Sequence, residues 1–599
     1  MPSFFPFQQG AESRANPHAS DNSPLLGRFR AVPDARRRGH RNSILGGLSL
    51  YGGFGSAGPE SVDSEEGGEQ FWIRRWLRTL RDLWIEPKHH VVGRVVDTWW
   101  SRWFVLIILP AALAVAWCAI PFPQYSIPDD DDELDILKGL GHKVPGHGEA
   151  RVEVNFWFFL FVYYGPYNVT ALMWITKVFN IYSLNWWPKS LGFPVTVSLI
   201  TVISILAPIP IYYSPTNYDL TQHNTVWIVW TFITMAMPLV CALAILLNHE
   251  RHLSLRHSLS ETQRIFTSSW WTGESDTISR RSHPSRTNVH LVFDPDAPLE
   301  VALASEESRH INASLRKRWL PASFVRFLWF CTALGIGMLA YVTGEAYAEI
   351  YLRTLPHSTI HTIVYVYSWV ATVHLLDGLT GWILGGEDGE RVGSYPLGWI
   401  FKLYFSLTYQ TYVRALYARL RSPAQFFYLQ ILSSTFLIIS TPLTISSHFH
   451  ALLTILGLNG QSYSSYKKFC ARNILIRGLS ENVSMLTFLG SILVLHYGSN
   501  KDVYPYFAFD QDSDGTSDGE GQGYDFALTF YASIVTWACE IVAGWVTRRL
   551  LWFGWKVDVT GEGQRDLREW PELLPTATVV MVHVAQNMLF EIVRLRFHW

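Results

Sequence analysis

Charged residues are scarce in this sequence. Only 16% of its 599 residues are Asp, Glu, Lys or Arg, whereas a soluble domain carries roughly 25%. The deficit lies in apolar runs of about twenty residues, the length that a helix needs to cross a hydrocarbon layer about 30 Å thick. The sequence therefore predicts an all-α, polytopic integral membrane protein with about ten transmembrane helices, in two blocks split by a cytosolic loop.

Cysteine, net charge and catalytic motifs are scarce as well. The 5 cysteines form no CxxC pair, so neither a disulfide framework nor a zinc site is indicated. A net charge of −2 leaves no domain-wide basic surface, which argues against a nucleic-acid partner. Since no nucleophile motif, phosphate loop or HExxH motif is present, we expect no enzyme. His374 and Asp377 leave open a buried acid–base pair for acyl transfer.

The clear apolar runs form two blocks with a long polar stretch between them. They cover about 102–121, 154–177, 191–213 and 225–248 in the first block, and about 323–344, 359–384, 482–498 and 524–547 in the second. No internal repeat relates the two blocks, which argues against a transporter built from inverted repeats.

Residues 396–460 allow two arrangements. In the first, 396–412 crosses the membrane, which puts the arginines from Arg414 onward on the lumenal side, against the usual charge bias. In the second, this run lies in the interface or re-enters, and 424–443 forms a short hairpin with 447–460. Both arrangements bring the total to about ten spans, and the sequence does not choose between them.

Lysine and arginine set the expected orientation. They crowd 74–102 and 249–320, whereas the connectors 122–152 and 499–523 are acidic. Basic segments stay on the cytosolic side of a membrane. The predicted division is a disordered cytosolic arm at 1–70, an interfacial amphipathic segment at 71–101, a first block of four spans at 102–248, a cytosolic loop at 249–320, a second block of about six spans at 321–547 and a cytosolic tail with a terminal apolar helix at 548–599.

The last apolar run, at about 573–595, has two interpretations. Its length would allow a further span, but His583, Gln586, Asn587 and Glu591 favour a packed or interfacial helix. The sequence thus favours a terminal helix that does not cross the membrane, with both termini in the cytosol.

The arm carries a candidate sorting signal. Asp21 precedes Leu25 and Leu26 by four and five residues, which is the acidic dileucine pattern that sorting adaptors read in extended peptides. Pro24 favours that extended form, and a chance match is the alternative. No signal-peptide core precedes the first span, which is expected to act as the targeting signal itself. These features predict a vacuolar or related endomembrane and a sorting adaptor as partner.

A basic, tryptophan-rich segment follows the arm. Helical spacing places Trp72 and Trp76 on one face, while Arg74, Arg75 and Arg78 crowd the remaining surface. Such a helix lies in a membrane interface with its cations near anionic lipid head groups. The alternative is a helix packed on the protein's own cytosolic face.

An acidic loop before the last clear span matches part of a calcium-binding loop. Asp510, Asp512, Asp514 and Asp518 stand at positions 1, 3, 5 and 9 of that pattern. The bidentate Glu expected at position 12 is Gly521 here. The prediction is therefore a weak lumenal calcium site, and a solvated acidic linker is the equal alternative.

Ionisable residues inside apolar runs are the remaining candidates, because a bilayer makes them costly to keep. Glu540 lies in the last clear span, and His374 and Asp377 share one helical face. The lumenal end of the same block adds Glu345, Glu349 and His361. Interhelical hydrogen bonds and a surface salt-bridge ladder are the structural alternatives to a proton or cation pathway.

The functional prediction is the transport or regulation of a small cation, either calcium or a proton-coupled species. A non-transporting membrane scaffold or lipid-organising factor is the alternative, and a membrane-embedded acyltransferase is less favoured. Ser258 and Ser282 follow basic residues in the central loop, as sites of basophilic kinases do. Phosphorylation would add negative charge beside anionic head groups there, so a protein kinase is a further expected partner.

Overall fold

Helices account for nearly all of the structure in the computed structural model. It describes residues 76–85, 87–126, 150–181, 192–214, 218–247, 322–353, 359–384, 395–417, 423–456, 462–507 and 526–598. Within these ranges the only sheet has two short strands. The predicted all-α class is confirmed.

The first half of the bundle begins with a π-helical turn and contains the sheet. In order it comprises Arg81–Ile85; α1 (His89–Asp97); α2, made of Trp99–Trp103, a π-helical turn Phe104–Ile108 and Leu109–Ala119; β1 (Gln124–Ser126); β2 (Val152–Val154); α3, made of Phe156–Phe158, a π-helical turn Phe159–Tyr164 and Gly165–Ile181; α4 (Gly192–Leu206); α5 (Pro208–Tyr212); α6 (Tyr218–Gln222); and α7 (Asn224–Leu247). Asn155 caps α3, since its side chain accepts a hydrogen bond from the Phe158 amide at 3.0 Å.

The second half is entirely helical apart from a 3₁₀ turn at Pro505–Phe507 within the described ranges. It comprises α8 (Ala322–Arg353), α9 (Thr359–Leu384), α10 (Tyr395–Tyr417), α11 (Pro423–Ile445), α12 (Ser447–Ile455), α13 (Tyr463–Tyr497), α14 (Phe526–Trp555), α15 (Val559–Glu569) and α16 (Leu573–Ile592). Ser446 and Ser462 cap α12 and α13 through their hydroxyl groups.

Nine of the described helices are long and apolar enough to cross a bilayer. They are α2, α3, α7, α8, α9, α11, α13, α14 and α16. A shorter apolar stretch at Val197–Tyr212 covers parts of α4 and α5. The prediction of a polytopic integral membrane protein is therefore confirmed.

One end of the bundle gathers the residues around Asp97. Arg568 donates to the Asp97 carboxylate through Nε at 2.6 Å, and its carbonyl lies 3.0 Å from His89 Nδ1. Lys177, at the end of α3, donates to the Trp84 carbonyl at 2.5 Å. Arg472 pairs with Asp566 at 2.9 Å. We call this part of the molecule the Asp97 end.

The opposite end is closed by the sheet and the last residues of the chain. β1 and β2 pair antiparallel with Tyr125 opposite Glu153. The backbone after α16 extends this sheet, since Val154 N–H donates to the Arg596 carbonyl at 2.8 Å and His598 N–H donates to the Val154 carbonyl at 3.1 Å. His598 also meets the Glu153 carboxylate at 2.8 Å. We call this part the His598 end.

Asn500 fastens α13 to α2 at the His598 end. Its amide nitrogen donates to the carbonyls of Cys118 and Ile120 at 2.8 Å each, and its oxygen accepts from the Phe122 amide at 3.0 Å. Nearby, the Tyr504 and Tyr163 hydroxyls are hydrogen-bonded. Burial raises the pKa of the Tyr504 phenol well above its ordinary value, so this contact joins neutral groups.

The terminal helix α16 is the most enclosed of the nine, because every residue of its apolar window is buried. It packs against α2, α3 and α10. Its polar residues meet partners on α3. Thr170 lies 3.2 Å from His583 Nδ1 and donates to Gln586 at 2.7 Å, and Tyr167 donates to Asn587 at 2.5 Å. These side chains make α16 a packed core helix.

The position of α16 disagrees with the expected tail. Leu573 follows the Arg568 contact at the Asp97 end, and the helix finishes beside Val503 and Glu153 at the His598 end. An interfacial helix would leave one face outside the bundle, which α16 does not. The described residues just before α2 and just after α16 therefore lie at opposite ends of the bundle, whereas a terminal helix that does not cross would keep them at one end; the cytosolic side of both termini stays a prediction.

The position of α10 bears on the two arrangements predicted for residues 396–460. Its Tyr404 ring stacks on Trp174 of α3 at 4.9 Å, and its Ala415 carbonyl accepts from Tyr506 near the His598 end at 2.8 Å. The helix thus runs through the bundle from one end toward the other. α11 continues through Pro442 to Ile445, and α12 begins two residues later at Ser447, so the break between these two helices lies at Ser446 and not at the proline.

α13 is longer than its predicted apolar run of 482–498. It begins at Tyr463 and spans 35 residues. Arg472, Arg477 and Glu481 lower the hydropathy of its first half, which hid that part of the helix in the sequence. The extension is stabilised by packing, since α15 lies against α13 and Asp566 holds Arg472.

Candidate functional site in the charged region

Charged side chains of the second half meet between α9, α10, α13 and α14. We call this group the charged region, and it consists of Asp377, Lys402, Arg414, Arg477, Glu481 and Glu540. Each lies on a helix that runs through the bundle. Ionisable groups at such positions are costly and need partners or water.

Arg414 and Glu540 form the most enclosed ion pair of the region. Arg414 Nη2 lies 2.6 Å from both carboxylate oxygens of Glu540, and only 1% of the arginine side chain is exposed. Two hydrogen bonds to one carboxylate are what a desolvated pair needs to offset the loss of water. Arg414 is therefore not a lumenal loop arginine, as a crossing at 396–412 had implied, but part of the buried site.

Arg477 and Glu481 form a second pair one turn apart on α13. Arg477 Nε donates to the Glu481 carboxylate at 2.7 Å. Ser480 lies between them in sequence, and its hydroxyl is 2.6 Å from that of Ser406 on α10. This hydroxyl contact fixes α13 against α10, so the two ion pairs face a common space.

Asp377 and His374 do not form the acid–base pair that their spacing allowed. Asp377 is ion-paired with Lys402 of α10. His374 has an exposed side chain, and its ring centroid lies 6.4 Å from that of Tyr409. The shared helical face thus brings His374 near the charged region but leaves Asp377 committed to the lysine.

A small cavity opens between the two arginine–glutamate pairs. The volume open to the centre of a water molecule is about 30 Å³, which is room for about two waters. Its polar lining comprises Tyr367, Tyr409, Gln410, Arg414, Ser433, Glu481 and Glu540. A cavity of this size in a membrane-embedded bundle suits water, protons or a bare cation and excludes an organic substrate.

The predicted residues at the lumenal end separate in the structure. Glu345 accepts a hydrogen bond from Thr225 of α7 at 3.3 Å. His361 is exposed in the first turn of α9. Glu349 belongs to α8, but its side chain lies outside the described residues. These residues therefore do not join the charged region.

Several predicted sites lie partly or wholly outside the described residues. The sorting signal Asp21, Leu25 and Leu26, the calcium-loop residues Asp510, Asp512, Asp514 and Asp518, the central loop 249–320, and the interfacial residues Trp72, Arg74 and Arg75 are among them. Trp76 and Arg78 are described, and both are exposed in a helical segment at the Asp97 end. Further along this segment Leu83 is buried in the core.

Sequence reasoning missed Lys402, Arg414, Arg477 and Glu481 as site residues. Lys402 and Arg414 were visible only as anomalies, cations inside or beside a run that was otherwise apolar. The signal that could have found them is charge complementarity, because a bilayer span that keeps Glu540 needs a cation on a neighbouring helix. The sequence does not say which helix is the neighbour.

Comparison with known proteins identifies the family. The family described as SPCC553.12c matches residues 88–283 and 296–593. The chain is also similar to a protein of Schizosaccharomyces pombe named "Uncharacterized protein C553.12c", with 34% identity over 520 residues, or 85% of each chain. No solved structure matches. The chain is therefore a multi-pass membrane protein that belongs to the SPCC553.12c family.

Proposed function

We propose that the protein moves a small cation, most directly a proton, across the membrane through the charged region. The observation that carries this proposal is the water-sized cavity between the Arg414–Glu540 and Arg477–Glu481 pairs. Ionisable groups that face a wet cavity inside a membrane bundle are typical of ion and proton pathways.

The composition of the site favours a proton over a metal ion. Each carboxylate beside the cavity is already engaged by an arginine, and those positive charges repel a metal cation. Within the described ranges no group of three or more His, Cys, Asp or Glu could hold a metal. A proton needs only hydrogen-bonded carboxyl, hydroxyl and water oxygens, which Glu540, Glu481, Tyr409 and Ser433 can supply. The Asp510 loop remains a separate proposal for a weak lumenal calcium site.

The proposed pathway has a direction in the membrane. Arg94, Arg472 and Arg568 at the Asp97 end outnumber Arg594 and Arg596 at the His598 end, and an excess of basic residues favours the cytosolic side. The Asp97 end is then cytosolic, and His598 is lumenal. A C-terminal epitope should be accessible to antibody only after the organelle membrane is permeabilised, and labelling of intact organelles would contradict this orientation.

The proposed organelle is the vacuole or a related endomembrane. This rests on the dileucine pattern of Asp21, Leu25 and Leu26. Replacing both leucines by alanine should move a fluorescent fusion of the full chain to another membrane. An unchanged location would remove the sorting signal from the proposal while leaving transport untouched.

Ion flux in proteoliposomes tests the transport proposal. The full-length protein is reconstituted with a pH-sensitive dye inside the vesicles, and a pH gradient or a panel of K⁺, Na⁺ and Ca²⁺ gradients is applied. We expect proton flux above that of protein-free vesicles, reduced at least tenfold in Glu540→Gln. Absence of flux for every ion would overturn transport.

Two further variants separate transport from folding. Ser433→Leu fills the cavity without removing a charge, so it should block flux while the protein stays monodisperse and folded. Glu562→Gln alters an ion pair with Arg565 on α15, away from the cavity, and should leave flux unchanged. Full flux through Ser433→Leu would show that the cavity is not the route.

A lipid-organising role is the second candidate, and one surface favours it. At the Asp97 end, Trp76 is 61% exposed and Trp100 is 69% exposed, next to the exposed Arg78. Tryptophan and arginine together bind the interface of anionic membranes. The double variant Trp76→Ala/Trp100→Ala is reconstituted into anionic vesicles. If it no longer clusters lipid while its ion flux is unchanged, this role is favoured over transport.

A further inference from the structure

Two neighbouring residues of α10 lead to different polar sites. Arg414 pairs with Glu540 of α14, whereas Tyr412 donates its hydroxyl to the Glu591 carboxylate of α16. Residues two apart in a helix do not face each other. α10 therefore separates the charged region from a second acidic site, which the charged region does not include.

Glu591 is held in place from three helices. Asn224 at the start of α7 donates to the Glu591 carbonyl at 3.1 Å and caps the end of α16. Tyr412 of α10 binds the carboxylate. Gly344 of α8 leaves room for the Tyr412 ring, since a Cβ at this position would lie 2.6 Å from that ring. The close approach of α8 to α10 brings Tyr341 and Glu345 to the same place.

The Tyr341 hydroxyl is the observation that points to a ligand. It is buried beside the Glu591 carboxylate, yet it forms no hydrogen bond of regular geometry within the described residues. A buried hydroxyl without a partner is costly. The O–H of a protonated Glu591 carboxyl would be a donor to that oxygen, while Tyr412 donates to the other carboxyl oxygen.

The charges around Glu591 favour a bound proton. The titratable groups that face it are Tyr404 and Tyr412 from α10, Tyr341 and Glu345 from α8, and Tyr167 from α3. Among the described residues no arginine or lysine forms an ion pair with its carboxylate, and the guanidinium of Arg594 donates instead to the Glu591 backbone carbonyl at 3.3 Å. A carboxylate near a second carboxylate and without a cation is destabilised inside a membrane protein.

We propose that Glu591 is a proton-binding site, in which Tyr341 accepts the hydrogen bond of the protonated carboxyl and Glu345 strengthens proton binding by its negative charge. Binding forms one O–H bond on a Glu591 carboxylate oxygen, and release returns that proton to water. The proton comes from hydronium, whose O–H bond breaks as the new bond forms, and no electron is gained or lost. A role of this site in proton transport rests on the proposed function. The binding of a proton to Glu591 does not.

Infrared difference spectroscopy tests the site directly. The full-length protein in lipid is compared at low and high pH, and the carbonyl band of a protonated carboxyl group is followed. We expect a band that Glu591→Gln removes and that Tyr341→Phe moves to higher frequency, because the acceptor is lost. Glu345→Gln should make the band disappear at a lower pH, since a neighbouring negative charge is gone.

Three outcomes would overturn the site. The band could persist in Glu591→Gln, could be unaltered in both Tyr341→Phe and Glu345→Gln, or could vanish on addition of Na⁺ or K⁺ at constant pH, which would indicate a metal cation instead. Tyr341→Phe and Glu345→Gln keep the test informative if Glu591→Gln fails to fold. Because the band requires no flux, the proposed function can fail while this site stands.

Discussion

The bundle satisfies its buried polar groups in two different ways. Around α2, α3 and α16 it uses neutral groups, as when the Trp117 indole donates to the Tyr163 carbonyl at 3.0 Å and Tyr167 donates to Asn587. We call this part the aromatic region, because Trp117, Tyr163, Tyr167 and Phe590 stack there. The charged region instead holds arginine–glutamate pairs.

The difference bears on function. Neutral hydrogen bonds are enough to hold helices together in lipid, and they cost little to bury. Ion pairs of the kind found around Glu540 cost several kcal/mol per ion to desolvate, and an apolar replacement often stabilises a protein as well. If these polar groups served only to hold the helices together, neutral hydrogen bonds like those of the aromatic region would be enough everywhere. The charged region therefore calls for an explanation beyond stability.

The largest predicted effect comes from breaking the buried ion pair. Arg414→Leu should lower the free energy of unfolding by about 3–5 kcal/mol, because Glu540 is left without its cation. Unfolding by SDS titration in mixed micelles measures this change. The double variant Arg414→Leu/Glu540→Leu should recover most of the loss, and a double variant as unstable as Arg414→Leu would contradict the pairing.

A matched pair outside the bundle core provides the control for Arg414. The Glu562–Arg565 ion pair is 2.9 Å long, close to the 2.6 Å of the Arg414–Glu540 pair, but 60% of the Arg565 side chain is exposed. Arg565→Leu should therefore cost less than about 1 kcal/mol. An equal cost at both sites would mean that burial does not distinguish the charged region.

A medium effect is predicted where α8 packs against α10, beside the charged region. Gly344→Ala places a methyl group 2.6 Å from the Tyr412 ring, so it should lower the free energy of unfolding by about 1–3 kcal/mol through overpacking. The same SDS titration measures it. Gly378→Ala on α9, which meets no atom within 4 Å, is the control. Equal stability of both variants would contradict the close approach of α8 to α10.

The smallest effect is expected in the aromatic region. Tyr167→Phe removes the hydroxyl that donates to Asn587 and should cost about 0.6–2 kcal/mol, as interhelical hydrogen bonds in membranes do. It should leave proton flux at the wild-type level. A loss of flux without a loss of stability would extend the pathway into the aromatic region and weaken the contrast between the two.

Much of the fold could be read from the sequence, because hydropathy over twenty residues reports directly on bilayer crossing. The predicted run 359–384 coincides with α9 (Thr359–Leu384). The reading failed where helices bury polar residues against each other. α10 carries Lys402, Gln410 and Arg414, and α16 carries His583, Asn587 and Glu591. Hydropathy cannot tell a side chain paired inside a bundle from one that needs water.

The candidate site was predictable in part for the same reason. Glu540 stood out as a carboxylate in an apolar run, and Asp377 likewise, whereas their partners Arg414 and Lys402 were treated as evidence about orientation. Sequence spacing also suggested that Asp377 would work with His374, three residues away. In the structure Lys402 of α10, and not His374, is the partner of Asp377, because tertiary packing brings α10 against α9.

The sequence by itself determined that this chain is a helical, multi-pass membrane protein, because scarcity of charge in runs of about twenty residues leaves no other stable arrangement in lipid. The tertiary structure alone decided that α16 is the enclosed centre of the bundle and that Arg414 meets Glu540. Both depend on contacts between residues more than one hundred positions apart in the sequence. Local patterns of hydropathy and charge do not indicate which distant residues come into contact.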